Sequence, residues 1–156
     1  WTSIHQSGRV STYATSEKSG AAESAEEGLI RRSVAAFNAG DIDGYLAGFS
    51  PDSPRWVSGL QTPLTLGDIR ANITLLTEAF DHLHLDEDLL FGARGFVCAR
   101  WTLRGVHVGD YGGIAPTNRD IAVESCEIYA VAAGKVVESW VYSDMTDLFD
   151  QIGERP

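Results

Sequence analysis

The sequence predicts an α+β domain in which a curved antiparallel sheet wraps on three N-terminal helices and encloses a conical pocket. Between Ser24 and Phe80 the apolar residues recur at helical spacing, and from His82 onward the period changes from 3.6 to 2. Helices first and strands afterwards is the order of an α+β domain; a βαβ fold would alternate them. With 156 residues, 44% of them hydrophobic, the chain has apolar material for one core and the length of one domain.

The elements follow in order. Residues 1–23 are rich in Ser, Thr, Ala and Gly and read as an N-terminal extension, leaving a domain over residues 24–156. Ser24-Ala25-Glu26-Glu27 is a capping box: the serine hydroxyl accepts from the Glu27 amide while Glu27 reaches back. Leu29, Ile30, Val34, Ala35 and Phe37 give the first helix its stripe, and Gly40 supplies the stop. A second short helix runs from Ile42 to Phe49, closed by Ser50-Pro51. Residues 51–64 form a loop around one short strand, Arg55 to Ser58, and Leu66 to Phe80 make the third helix. Leu83 to Phe91, Phe96 to Val108, Asp120 to Ala132 and Lys135 to Ser143 are strands, with a tight turn at Ala133-Gly134. The stretch VVESWVYSDMTDLFDQIG breaks at Ser143-Asp144 into a short amphipathic helix ending at Gly153.

A formal charge of −10 argues against a nucleic-acid partner, because the general field repels a polyanion. No run is long enough to span a membrane, and no basic start followed by an apolar stretch points to export, so a cytoplasmic location is expected. Cys98 and Cys126 lack metal or redox spacing and are expected as buried free thiols. There is no Gly-rich phosphate loop, GxSxG, HExxH or calcium-type carboxylate run; neither cofactor nor metal is expected.

Strand parity sorts the candidate chemistry. Val97, Ala99, Trp101, Leu103, Gly105 and His107 share one face, so His107 is either a core histidine held by a backbone carbonyl or a catalytic assistant in an apolar site. In the next strand Glu127 lies in phase with Ser125 and Tyr129, Glu124 with Cys126. Whichever glutamate faces the pocket would have its carboxyl raised by desolvation, the condition for a general acid or base, and parity alone does not choose. Asp144, at the end of the last strand, is either an acid or the cap of the final helix. Trp56, Trp101, Tyr45 and Tyr129, with Val141 and Ser125, are candidate walls of a large apolar cavity, whereas Trp140 is a candidate for a dimer interface.

The C-terminal half, RGVHVGDYGGIAPTNRDIAVESCEIYAVAAGKVVESWVYSDMTDLFDQIG, resembles the SnoaL-like polyketide cyclases, small proteins with the cone-shaped barrel of ketosteroid isomerase and nuclear transport factor. His107 in GVHVG, the loop with Gly113 and Ala115-Pro116-Thr117, Gly134-Lys135-Val136-Val137-Glu138 with Trp140, Asp144 and Gln151-Ile152-Gly153 carry the likeness. LIRRSVAAFNAGDIDGYLAGFSPD matches the family's opening helices. The resemblance implies an enclosed apolar pocket, a homodimer and no cofactor. It also turns Glu127 rather than Glu124 into the pocket. At the positions where ring-closing members hold an aspartate and a histidine, this chain has Val141 and Glu127. The resemblance therefore implies a cyclase of a bulky apolar polyketide-like substrate that lacks the usual aldol pair. Glu127 would be acid or hydrogen-bond donor, with His107 and Asp144 assisting, or else a purely structural partner of an arginine, and cycloaddition fits the missing pair better than aldol closure. The alternatives are a hydroxylase-type member and a non-catalytic binding or dimerisation module.

Overall fold

The computed structural model of the chain describes residues 22–153; most of the expected extension, residues 1–21, lies outside the described residues. Its elements are α1 (Ala25–Asn38), α2 (Ile42–Leu46), β1 (Arg55–Val57), α3 (Leu66–Ala79), β2 (Phe80–Ala93), β3 (Phe96–His107), β4 (Asp120–Ala132), β5 (Lys135–Ser143) and α4 (Met145–Ile152).

Local chemistry sets the boundaries. The Ser24 hydroxyl accepts the Glu27 amide at 3.1 Å, and Glu27 accepts the Ser24 amide in return, completing the capping box of α1. The second Glu27 oxygen accepts from the Gly92 amide at 2.8 Å, so one side chain both starts α1 and fastens it to β2. Thr65 and Asp68 make an equivalent box at α3. Ala133 and Gly134 both have positive φ, 50° and 73°, as a two-residue type I′ hairpin requires, and this turn fixes the β4–β5 register.

The sheet order is β1-β5-β4-β3-β2. Its four long strands pair antiparallel, as expected. The edge strand β1 departs from expectation by running parallel to β5, with Arg55 opposite Ser139 and Val57 opposite Val141. Parallel neighbours need a crossover connection, and here α3 and the whole meander supply it. Register shifts between Asp81 and His84, Glu87 and Leu89, and Ala130 and Val131 bend the strands and curl the sheet around the helices.

Two apolar clusters fill the concave side. One joins Ile30, Val34, Phe49, Ile69 and Ile73 of the helical side to Val97 and Trp101 of the sheet. The other, beneath α4, contains Phe80, Ile121, Val123, Leu148 and Ile152. Gln151 holds α4 in place by pairing with the backbone of Ala122, accepting its amide at 2.7 Å and donating to its carbonyl at 2.9 Å. Cys98 and Cys126 are free, but half-buried rather than buried, because they sit on the outer face with Arg100. Among the described residues no helix is long and apolar enough to cross a membrane.

Candidate active site

Between the two clusters the concave side leaves a cavity of about 180 Å³. Three short-range patterns bring polar groups into its apolar wall. In β1 the alternation Arg55-Trp56-Val57 turns Arg55 and Val57 inward and Trp56 outward. In β4 the same alternation turns Ser125, Glu127 and Tyr129 inward, and in β5 Val141 and Ser143 lie directly opposite Glu127 and Ser125. From the helical side come Phe37, Tyr45, Asn72 and Leu76, and Met145 at the start of α4 stands at the mouth.

The polar groups form one connected cluster. Arg55 Nη2 donates to Glu127 Oε1 at 2.9 Å, and the Tyr129 hydroxyl donates to Glu127 Oε2 in a short hydrogen bond. The Arg55 and Glu127 side chains are only 12% and 8% exposed, so the ion pair is largely screened from water. Burial pulls the Arg55 guanidinium down, but the Glu127 carboxylate together with Tyr45 and Tyr129 more than offsets this and the net shift is upward; Arg55 remains a cation. Burial first, and the Glu127 charge second, push Tyr129 well above the ordinary phenol range, which keeps it an O–H donor. Burial likewise raises Tyr45, whose hydroxyl adjoins Arg55. Among the described residues lining the cavity, Arg55 is the one cation and Glu127 the one anion.

The structure divides the residues predicted from the sequence. Glu127, Tyr45, Ser125 and Val141 line the cavity, and buried Tyr129 completes its polar cluster. Of the two readings the sequence offers for Glu127, proton donor or partner of an arginine, the geometry shows the pairing with an arginine, both carboxyl oxygens accepting. The other candidates lie elsewhere. Trp56 is 38% exposed and donates its indole N–H to Glu138 at 2.8 Å, because parity that brings Arg55 inward must put Trp56 outside. Trp101 is packed wholly in the core and is not part of the cavity wall. His107 is fully buried and is not among the residues lining the cavity; its ring is tilted against Phe80 at 5.3 Å, with Nδ1 accepting from the Thr117 amide at 3.3 Å. From Ala99, the partner of Glu127, to His107 is eight residues, roughly 26 Å along the strand at about 3.3 Å per residue. Asp144 is exposed and caps α4, accepting the Thr146 amide at 2.9 Å.

Arg55 is the principal group the sequence reading misses. Its signal is present in RWV, where a charged residue shares a face with Val57, but aromatic bulk draws attention to Trp56 instead. Asn72, Ser143 and Met145 are the other additions, and nothing in their local sequence marks them.

A wider hollow of about 460 Å³ lies at the strand ends, lined by Arg100, Glu124 and Tyr142 among others. None of its lining residues is buried, so it does not desolvate a ligand as the inner cavity does.

The sequence pattern of the SnoaL-like polyketide cyclases matches residues 28–152. The chain belongs to the SnoaL-like polyketide cyclase family. No curated protein sequence matches it. Solved structures agree with this membership in fold. AclR from Streptomyces galilaeus, a proposed hydroxylase, is similar at 25% identity and a TM-score of 0.79, covering 86% of this chain and 100% of AclR. IdmH from Streptomyces antibioticus, a proposed polyketide cyclase, is similar at 22% identity and 0.75, covering 83% and 99%. A proposed SnoaL-like polyketide cyclase from Jannaschia sp. CCS1 is similar at 19% identity and 0.74, covering 86% and 95%. In this SnoaL-like chain the inner cavity of the cone holds an arginine–glutamate–tyrosine cluster.

Proposed function

We propose that the protein is a cofactor-independent cyclase of polyketide or related natural-product biosynthesis. The observation that supports this most is the apolar-walled cavity with all its charge gathered in the Arg55–Glu127–Tyr129 cluster. Apolar walls fold the substrate, and a fixed cation aimed at an oxygen stabilises negative charge that develops there during ring closure. Arg55 is in this reading the electrostatic catalyst; Glu127 and Tyr129 hold it in place. At 180 Å³ the enclosed space is below the usual range for a whole drug-sized ligand, about 300–1,000 Å³, so a multi-ring substrate inserts one end and extends past Ser143 and Met145. With Val141 where ring-closing members hold an aspartate, closure by cycloaddition is favoured over aldol chemistry.

The test is turnover of a linear polyketide or polyene precursor in heavy water, followed by mass spectrometry. A cycloaddition gives an isomer of the substrate without label at the acidic C–H, whereas an aldol enzyme exchanges that position. The second reading is a hydroxylase, favoured by the likeness to AclR. It requires oxygen from labelled dioxygen in the product. Ligand binding without any product would leave a binding module.

The outer sheet face supports a homodimer. Trp56, Leu89, Phe91, Phe96 and Tyr142 are 38–53% exposed there, and Arg100 among them is paired with Glu124 at 2.8 Å. A second copy presents the same exposed apolar side chains. Sedimentation of a Phe91→Asp variant as a monomer, with the parent as a dimer, is the expected result.

A further inference from the structure

The charge balance of the cavity bears on which ligand it takes; this rests on the cavity being the ligand site proposed above. Arg55 spends Nη2 on Glu127, while Nη1 is buried and has no hydrogen-bond partner among the described residues. A buried donor left unpaired is costly; Nη1 has no surface open to the cavity as it stands, so an acceptor meets it once the guanidinium shifts toward the cavity that Arg55 lines, and it then gains more than its hydrogen bond would gain in water. The nature of that acceptor is set by the neighbours. Glu127 already neutralises Arg55, and no second cation lines the cavity among the described residues. The remaining polar groups, from Tyr45, Asn72, Ser125 and Ser143, are neutral. A ligand carboxylate would therefore bring an uncompensated negative charge into a desolvated space already holding one. A neutral carbonyl brings none.

We infer that the cavity selects neutral ligands whose inner end is a ketone, ester, lactone or quinone oxygen accepting from Arg55, and discriminates against the corresponding free acids. Glu127 is on this basis a specificity determinant: it sets the site's charge to zero. Removing its charge while keeping its shape leaves Arg55 unbalanced and converts the cavity into an anion site.

The experiment measures binding of acetylnaphthalene, naphthoate and methylnaphthalene, three probes of nearly one shape, by fluorescence at neutral pH. The parent protein is expected to bind the ketone about 10- to 100-fold more tightly than either the acid or the hydrocarbon, the value of a hydrogen bond to a charged group. Glu127→Gln is expected to invert the ketone-to-acid order. Glu124→Gln removes the same charge from the outer face and is expected to leave that order unchanged, which separates the site from the general field of an acidic protein. Arg55→Met is expected to erase the advantage of ketone over hydrocarbon. Naphthoate binding as tightly as the ketone to the parent, or failure of all three probes to bind, overturns the inference. So does a Glu127→Gln protein that keeps the parent's order. Should a variant not fold, the parent's ketone-to-acid ratio decides alone. Ketone selectivity without turnover on any precursor would sink the cyclase reading and leave this one standing; turnover with no such selectivity would do the reverse.

Discussion

Glu127 and His107 occupy the same concave face of the same sheet, are both buried and both titratable, yet only one belongs to the cavity. At Glu127 the covering elements leave space, and the polar groups turn toward one another across it. At His107 the end of the barrel is closed by Phe80, by the 109–118 loop through Thr117, and by the cluster beneath α4. The difference teaches that inward parity gives burial and no more. Whether a buried polar residue meets a ligand depends on what packs above it, and that is contributed by segments far away in sequence.

The largest effect expected from perturbing this contrast is at Arg55. Arg55→Met leaves the Glu127 charge buried without its cation and should cost about 3–5 kcal/mol, read from the urea midpoint. A variant of unchanged stability would mean that the pair is open to water. His107→Ala empties a fully packed site and should cost about 2–4 kcal/mol. Because His107 does not line the cavity and lies eight residues along the strand from the partner of Glu127, ligand affinity should change by less than about twofold. A folded His107→Ala protein that had lost its ligand would erase the distinction between the two ends. Asp144→Ala removes an exposed cap and should cost about 1 kcal/mol with turnover intact; loss of turnover would restore Asp144 as an acid. The mildest test shows nothing at neutral pH. Tyr129 and Tyr45 have folded values raised above the ordinary value of about 10, so their contribution is complete below that pH. It is lost as pH rises through the folded values, and ultraviolet titration should show both phenols ionising only as the protein unfolds in alkali. Early ionisation of either would show a cluster open to solvent.

Much of the architecture was legible because its causes are local. Ser24 and Glu27 announce α1 within four residues, Ala133-Gly134 ties β4 to β5, and the alternation puts Glu127 on the face opposite Glu124, with the family resemblance choosing Glu127 as the inner one. The parallel docking of β1 was not legible, since three residues carry no periodic signal and their partner lies some eighty positions away. Arg55 was missed for the same reason. In isolation RWV is compatible with either face inward, and Trp56 is the bulkier candidate; pairing with β5 decides the matter by setting Arg55 opposite Ser139.

The sequence by itself determined the order of helices and strands and the alternation that sets Glu127 and Tyr129 on one face of their strand. Those follow from covalent order and from periods of a few residues. The family resemblance turned that face inward and marked Val141 as the position without an aspartate. Only the tertiary structure decided that Glu127 meets Arg55 rather than His107, that Trp56 stays outside, and that Asp144 caps a helix. Each of these depends on contacts between segments distant along the chain, fixed by how the sheet curls and by what covers its two ends.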